Sequence, residues 1–95
     1  MEITKEIQGN NIVLKVSGRV DTSNSNQLEE ATKDIKEDEF LVLDFQDLEY
    51  LSSVGLRILL SLKKRLKDNI KIININAFIK EVFEMTGFSD IFTNE

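Results

Sequence analysis

The sequence predicts an α/β fold: a mixed β-sheet that opens on a hairpin and continues β-α-β-α-β-α, with helices packed on it. Three observations carry this reading. Apolar residues first recur with period 2, at Ile3 and Ile7 and then at Ile12, Leu14 and Val16 across the turn-forming Gly9-Asn10-Asn11. A later run, Phe40 to Phe45, is almost continuously apolar, and Ile70, Ile72, Ile73 and Ile75 make another strand. Between and after these runs the apolar spacing changes to that of amphipathic helices, and strands alternating with helices imply parallel crossovers.

Each element follows in order. Asp21-Thr22-Ser23 offers helix N-caps, and Ser25, Leu28, Ala31, Thr32 and Ile35 share one helical face, predicting a helix from about Ser23 to Lys36. The run Phe40-Leu41-Val42-Leu43 with Phe45 reads as a central strand covered on both faces. A loop, Gln46 to Leu51, leads into a second helix with Val54, Ile58, Leu59, Leu62 and Leu66 inward and Arg57, Lys63, Lys64, Arg65 and Lys67 in solvent. After the strand at Ile70 to Ile75, Asn76 caps a third helix bearing Phe78, Ile79, Val82, Phe83 and Met85, and Gly87 ends it. Phe88, Ile91 and Phe92 are expected to fold back on the core.

With 95 residues the chain is read as one domain, 1–95, long enough to bury roughly 60–65% of its unfolded surface. It has neither cysteine nor histidine, which removes thiol nucleophiles, Ser-His-Asp triads, the usual zinc ligand sets and disulfides. No cofactor or metal is expected. A net charge of −5 and a pI near 4.7 argue against a nucleic-acid surface, which needs clustered unopposed Lys and Arg. The segment MEITKEIQGN has no apolar core of a signal peptide, and no window reaches the roughly 20 apolar residues of a membrane span, so a cytoplasmic protein without membrane insertion is expected.

The candidate chemistry lies at Ser52-Ser53, where strand-like sequence gives way to a helix. The first helical turn has unpaired N–H groups and a partial positive charge, so a serine there accepts a dianionic modification without local electrostatic cost. Local sequence alone equally suits plain N-cap residues. Gly55, placed where a helix ordinarily prefers alanine, reads as bare backbone beside the serines, open to close approach by a partner. Asp44 and Asp47 are read as solvated loop acids rather than a Mg²⁺ site, because no third acid stands at a matching strand end.

These residues together resemble the STAS domains, and among them the small free-standing anti-sigma factor antagonists of bacteria. The likeness covers almost the whole chain. Gly18 and Asp21 in SGRVD match the family's Gly-x-x-Asp, Leu43-Asp44-Phe45 with Leu48, Tyr50 and Leu51 its central strand and loop, Ser52-Ser53-Val54-Gly55-Leu56 its Asp-Ser-Ser-Gly-Leu signature, and Thr86-Gly87-Phe88 its Thr-Gly-Leu. The resemblance implies a non-enzymatic switch: Ser53 is the serine phosphorylated by a partner anti-sigma factor that is itself a serine kinase, and a PP2C-type serine phosphatase reverses it. It implies a partner-binding surface of Asp21, Ser52, Ser53, Val54, Gly55 and Arg57. Two positions depart from the signature, Ser52 for Asp and Val54 for the second serine. Ser52 conserves the capping chemistry but also stands as a competing acceptor. Two other functions remain open: a constitutive STAS scaffold subunit of a transporter complex, and a small phosphotransferase using Asp44 or Ser53, against which the lack of histidine and of a Gly-rich phosphate loop counts.

Overall fold

Alternation of apolar and polar residues makes the first 20 residues a hairpin: β1 (Glu2–Gln8) pairs antiparallel with β2 (Asn11–Val20). The computed structural model describes residues 1–92. Gly9, at φ +63, takes the first position of the two-residue turn, where side chains are disfavoured. The remaining elements are α1 (Ser25–Thr32), β3 (Phe40–Asp44), β4 (Leu48–Leu51), α2 (Ser53–Leu66), β5 (Ile70–Ile73) and α3 (Ala77–Thr86), followed by a short 3₁₀ turn at Phe88–Asp90. The sheet runs β1-β2-β3-β5, with β4 added to β2 and every pairing after the hairpin parallel.

Register explains where the core sits. Ile12 lies opposite Leu41 and Leu41 opposite Ile70; Leu14 lies opposite Leu43 and Leu43 opposite Ile72. All six are buried on one face, packed with Leu28, Leu56, Leu59, Leu62 and Leu66 of α1 and α2. The opposite face carries Val13, Val42, Lys71 and Ile73, each only half-buried, with Asp44 buried at the end of β3, so β3 is fully covered on one face and partly on the other.

The segment expected to be a loop, Gln46 to Leu51, contains β4. Gly18, at φ +83, donates its N–H to the Asp47 carbonyl at 3.0 Å, and the register breaks between Gly18 and Arg19. At this bulge β2 leaves β3 and pairs with β4 instead, Arg19 opposite Tyr50 and Val20 opposite Leu51.

α1 is eight residues long, shorter than its apolar spacing suggested. Its end is fixed from outside: the Arg65 guanidinium of α2 donates to the carbonyls of Thr32 (2.8 Å) and Ile35. Arg65 is therefore a half-buried cap on a neighbouring helix rather than a solvated charge. Hydrogen bonds from a charged donor of this kind contribute about 1.5–3 kcal/mol each. The third helix begins and ends as expected, with Asn76 Oδ1 accepting from the Ile79 N–H at 2.8 Å and Gly87 at φ +82. Its apolar residues divide, however: Ile79 and Phe83 are buried, whereas Phe78 is 47% and Met85 79% exposed. Phe83, Phe88 and Phe92 stack at 5.8–6.4 Å between centroids, which returns the tail to the core.

Candidate functional site

The bulge at Gly18 aims the end of β2 at the start of α2. The Ser52 N–H donates to the Val20 carbonyl at 2.8 Å, extending the β2–β4 ladder by one bond before the helix begins. Ser52 then caps α2 in extended conformation, φ −78 and ψ 170, its Oγ accepting from the Gly55 N–H at 3.2 Å. Only 8% of Ser52 is exposed, so its hydroxyl is engaged and covered. Ser52 is therefore less open to a partner or to modification than the sequence suggests.

Ser53 is different in each respect. It is the first residue of α2, it is exposed, and among the described residues its hydroxyl makes no hydrogen bond. No acidic side chain lies in the first turn to compete for the positive helix end. Val54 follows, half-buried, and Arg57 is exposed one turn further on.

Gly55 corrects the reading of bare, accessible backbone. It is buried, and a Cβ there would stand 2.6 Å from Leu51 Cδ1 and 3.0 Å from Val20 Cγ1. The glycine lets α2 lie directly on the β2–β4 pair; its role is packing, and it is not part of an exposed partner surface.

Asp21 continues β2 beyond Val20 and is half-buried. The Ser23 hydroxyl donates to Asp21 Oδ1 at 2.7 Å and the Ser23 N–H does so at 3.0 Å, and together with Asn24 they hold this carboxyl below the usual carboxylate range. Asn24 closes the turn, its Oδ1 accepting from the Asp21 N–H and its Nδ2 donating to the Arg19 carbonyl, both at 2.9 Å. Asp21 thus stiffens the loop beside Ser52 rather than capping α1.

Asp44 is neither solvated nor poised for a cation. It is buried, and its Oδ1 accepts from the Gln46 N–H and Asn74 Nδ2, each at 3.1 Å. Among the described residues no three acidic, histidine or cysteine side chains gather as a metal site, and no helix is long and apolar enough to cross a membrane.

One cluster escaped the sequence reading. The Arg19 guanidinium lies 4.4 Å from the Tyr50 ring centroid, and Tyr50 stacks on Phe78 at 6.5 Å. This ladder of cation, phenol and exposed phenyl is one residue pair away from Val20 and Leu51, and by strand alternation it lies on the opposite face of the β2–β4 pair, towards α3. Finding it requires knowing that residues 48–51 form a strand, since Arg19 and Tyr50 meet only across that pairing.

Comparison with known proteins fits this geometry. The STAS domain profile matches residues 2–95. The chain belongs to the STAS domain family. This STAS protein is 32% identical over 97 residues to BtrV of Bordetella bronchiseptica, a protein named for anti-sigma factor antagonism; the match covers 97% of this chain and 84% of BtrV. Among solved structures, an anti-sigma factor antagonist from Mycobacterium paratuberculosis superposes with a TM-score of 0.87 at 26% identity, over 98% of this chain and 83% of that one. The antagonist SpoIIAA in its unphosphorylated form superposes at 0.82 with 15% identity, over 99% and 88% of the two chains, and the phosphorylated Bacillus SpoIIAA at 0.73 with 14%, over 99% and 91%. At those identities the SpoIIAA likeness speaks for the mixed α/β STAS fold alone.

Proposed function

We propose that this STAS protein is an anti-sigma factor antagonist, a cytoplasmic, non-catalytic single domain over residues 1–95. Unmodified, it binds an anti-sigma factor that is also a serine kinase, and so frees a sigma factor. Phosphorylation of Ser53 ends that binding, and a PP2C-type serine phosphatase restores it. The contact surface comprises Ser53, Val54 and Arg57 on α2 and the Asp21 loop beside them.

The observation that carries the switch is the division of labour between the serines: Ser52 is covered and spent as the cap, whereas Ser53 is exposed, its hydroxyl free among the described residues, at the positive end of a 14-residue helix. A phosphate adds about −1.5 to −2 charges at pH 7. At a helix N-terminus that charge leaves the fold intact, whereas on a contact surface it brings desolvation and repulsion. The relatives named above support the same reading.

Intact-mass measurement with site mapping, on protein purified from its own host, tests the proposal. The expected result is a single phosphate on Ser53. Phosphate confined to Ser52 contradicts the residue assignment, and no phosphate under any growth condition favours the constitutive scaffold function.

A further inference from the structure

α2 carries its cations in two groups. Lys63, Lys64 and Arg65 occupy the last turn, where Lys63 sits 5.9 Å from the Phe92 ring centroid and Arg65 caps α1. Arg57 stands apart. It is the only basic residue in the first half of the helix, it is exposed, and among the described residues it makes no ion pair.

Ser53 and Arg57 are four residues apart and therefore share a face, with about 5–6 Å between their Cβ atoms. Cα–Cβ bonds in a helix tilt toward its N-terminus, so the long Arg57 side chain, which lines the groove between α1 and α2, is within reach of a phosphate on Ser53. The planar guanidinium fork matches phosphate oxygens and bonds them bidentately. We infer that Arg57 is the phosphate latch of the switch: once Ser53 is phosphorylated, the Arg57 guanidinium closes onto it and is withdrawn from the contact surface. Phosphorylation then acts twice, adding negative charge and removing an exposed cation from the same helix face. This rests on the proposed role of Ser53.

Other charges nearby do not displace the pairing. Arg57 shares the lining of the groove between α1 and α2, about 560 Å³ in volume, with Glu29, Glu30 and Lys33. Glu30 is already held by Lys33 at 2.6 Å. Asp21, on the loop after β2, is occupied by Ser23. Glu29 bears one charge and pairs with no cation in the described structure, while the phosphate bears nearly two and lies on Arg57's own helix face.

The test installs phosphoserine at position 53 during synthesis, so no kinase is needed, and follows the ³¹P resonance through a pH titration at low salt. In the parent protein the second phosphate ionisation is expected about 0.15–0.4 unit below that of Arg57→Gln, as a helical i,i+4 ion pair implies. Arg57→Lys should fall between the two, and the difference should shrink in 1 M salt. The helix N-terminus contributes alike to all three proteins. Superimposable titration curves for the parent and Arg57→Gln would overturn the latch. Because the phosphate is installed directly, mapping of the host modification to another residue would defeat the role of Ser53 without altering this titration, and the two failures stay distinguishable.

Discussion

Ser53→Asp is expected to fold normally and to lose most of its affinity for the partner kinase, while Ser53→Ala keeps it. A carboxylate in the first turn of a helix contributes about 0.3–1 kcal/mol of stability, and α2 has no other acid there to repel it. The same charge on the contact face must be desolvated, and juxtaposed like charges cost several kcal/mol. A loss of about 2 kcal/mol, or roughly 30-fold in Kd, is the working figure for a single charge. Phosphate carries nearly two charges, so the aspartate defect is partial by comparison. Alanine retains the neutral surface and forfeits only the ability to be switched off. Calorimetric titration of both variants against the partner checks this, and equal affinities would place Ser53 outside the interface.

Gly55→Val is expected to be the most destabilising single substitution near the site. The new Cβ would meet Leu51 Cδ1 at 2.6 Å, and Leu51 is itself buried with little room to turn away. Val20, at 3.0 Å on the other side, is branched at Cβ and fully buried, so it yields less still. Overpacking of this kind costs about 1–3 kcal/mol or more, against which removing a helical glycine returns only about 0.5–1 kcal/mol. With two methyls beyond the Cβ to place, the cost lies at the upper end of that range and the net loss is about 2 kcal/mol, a fall in Tm of roughly 8–16 °C for a domain of this size. Gly55→Ala should show a smaller fall of the same sign. A valine variant that melts with the parent protein would mean that α2 does not rest on the β2–β4 pair.

That outcome reverses what the residue types alone suggest, and the reason is instructive. The hairpin, the Asn76 cap and the αL Gly87 were legible because each rests on local chemistry: a period of two, a side-chain oxygen within reach of a nearby N–H, a φ only glycine adopts freely. The exposed Ser53 at a helix start was legible for the same reason. Gly55 was not, because its neighbours, Val20 and Leu51, come from two strands, and nothing local says they lie beneath it. β4 was hidden because Leu48 and Leu51 are both buried while Glu49 is the extra residue at the bulge, which breaks the alternation that marks a strand. Arg65 looked like one more solvated cation because the carbonyls it caps are 30 and 33 residues away. Phe78 and Met85 looked like core because apolarity at helical spacing does not say which side of the stripe has a partner.

The central claim is that one surface, gated at Ser53, takes an anti-sigma factor away from its sigma factor. The most direct measurement adds this protein, either unmodified or carrying phosphoserine at position 53, to a preformed complex of its host's kinase-type anti-sigma factor with the cognate sigma factor, and reads free sigma by size-exclusion chromatography. The unmodified protein should release sigma in proportion to the amount added, and the phosphorylated protein should release almost none. Equal release by both forms, or no release by either, would contradict the account.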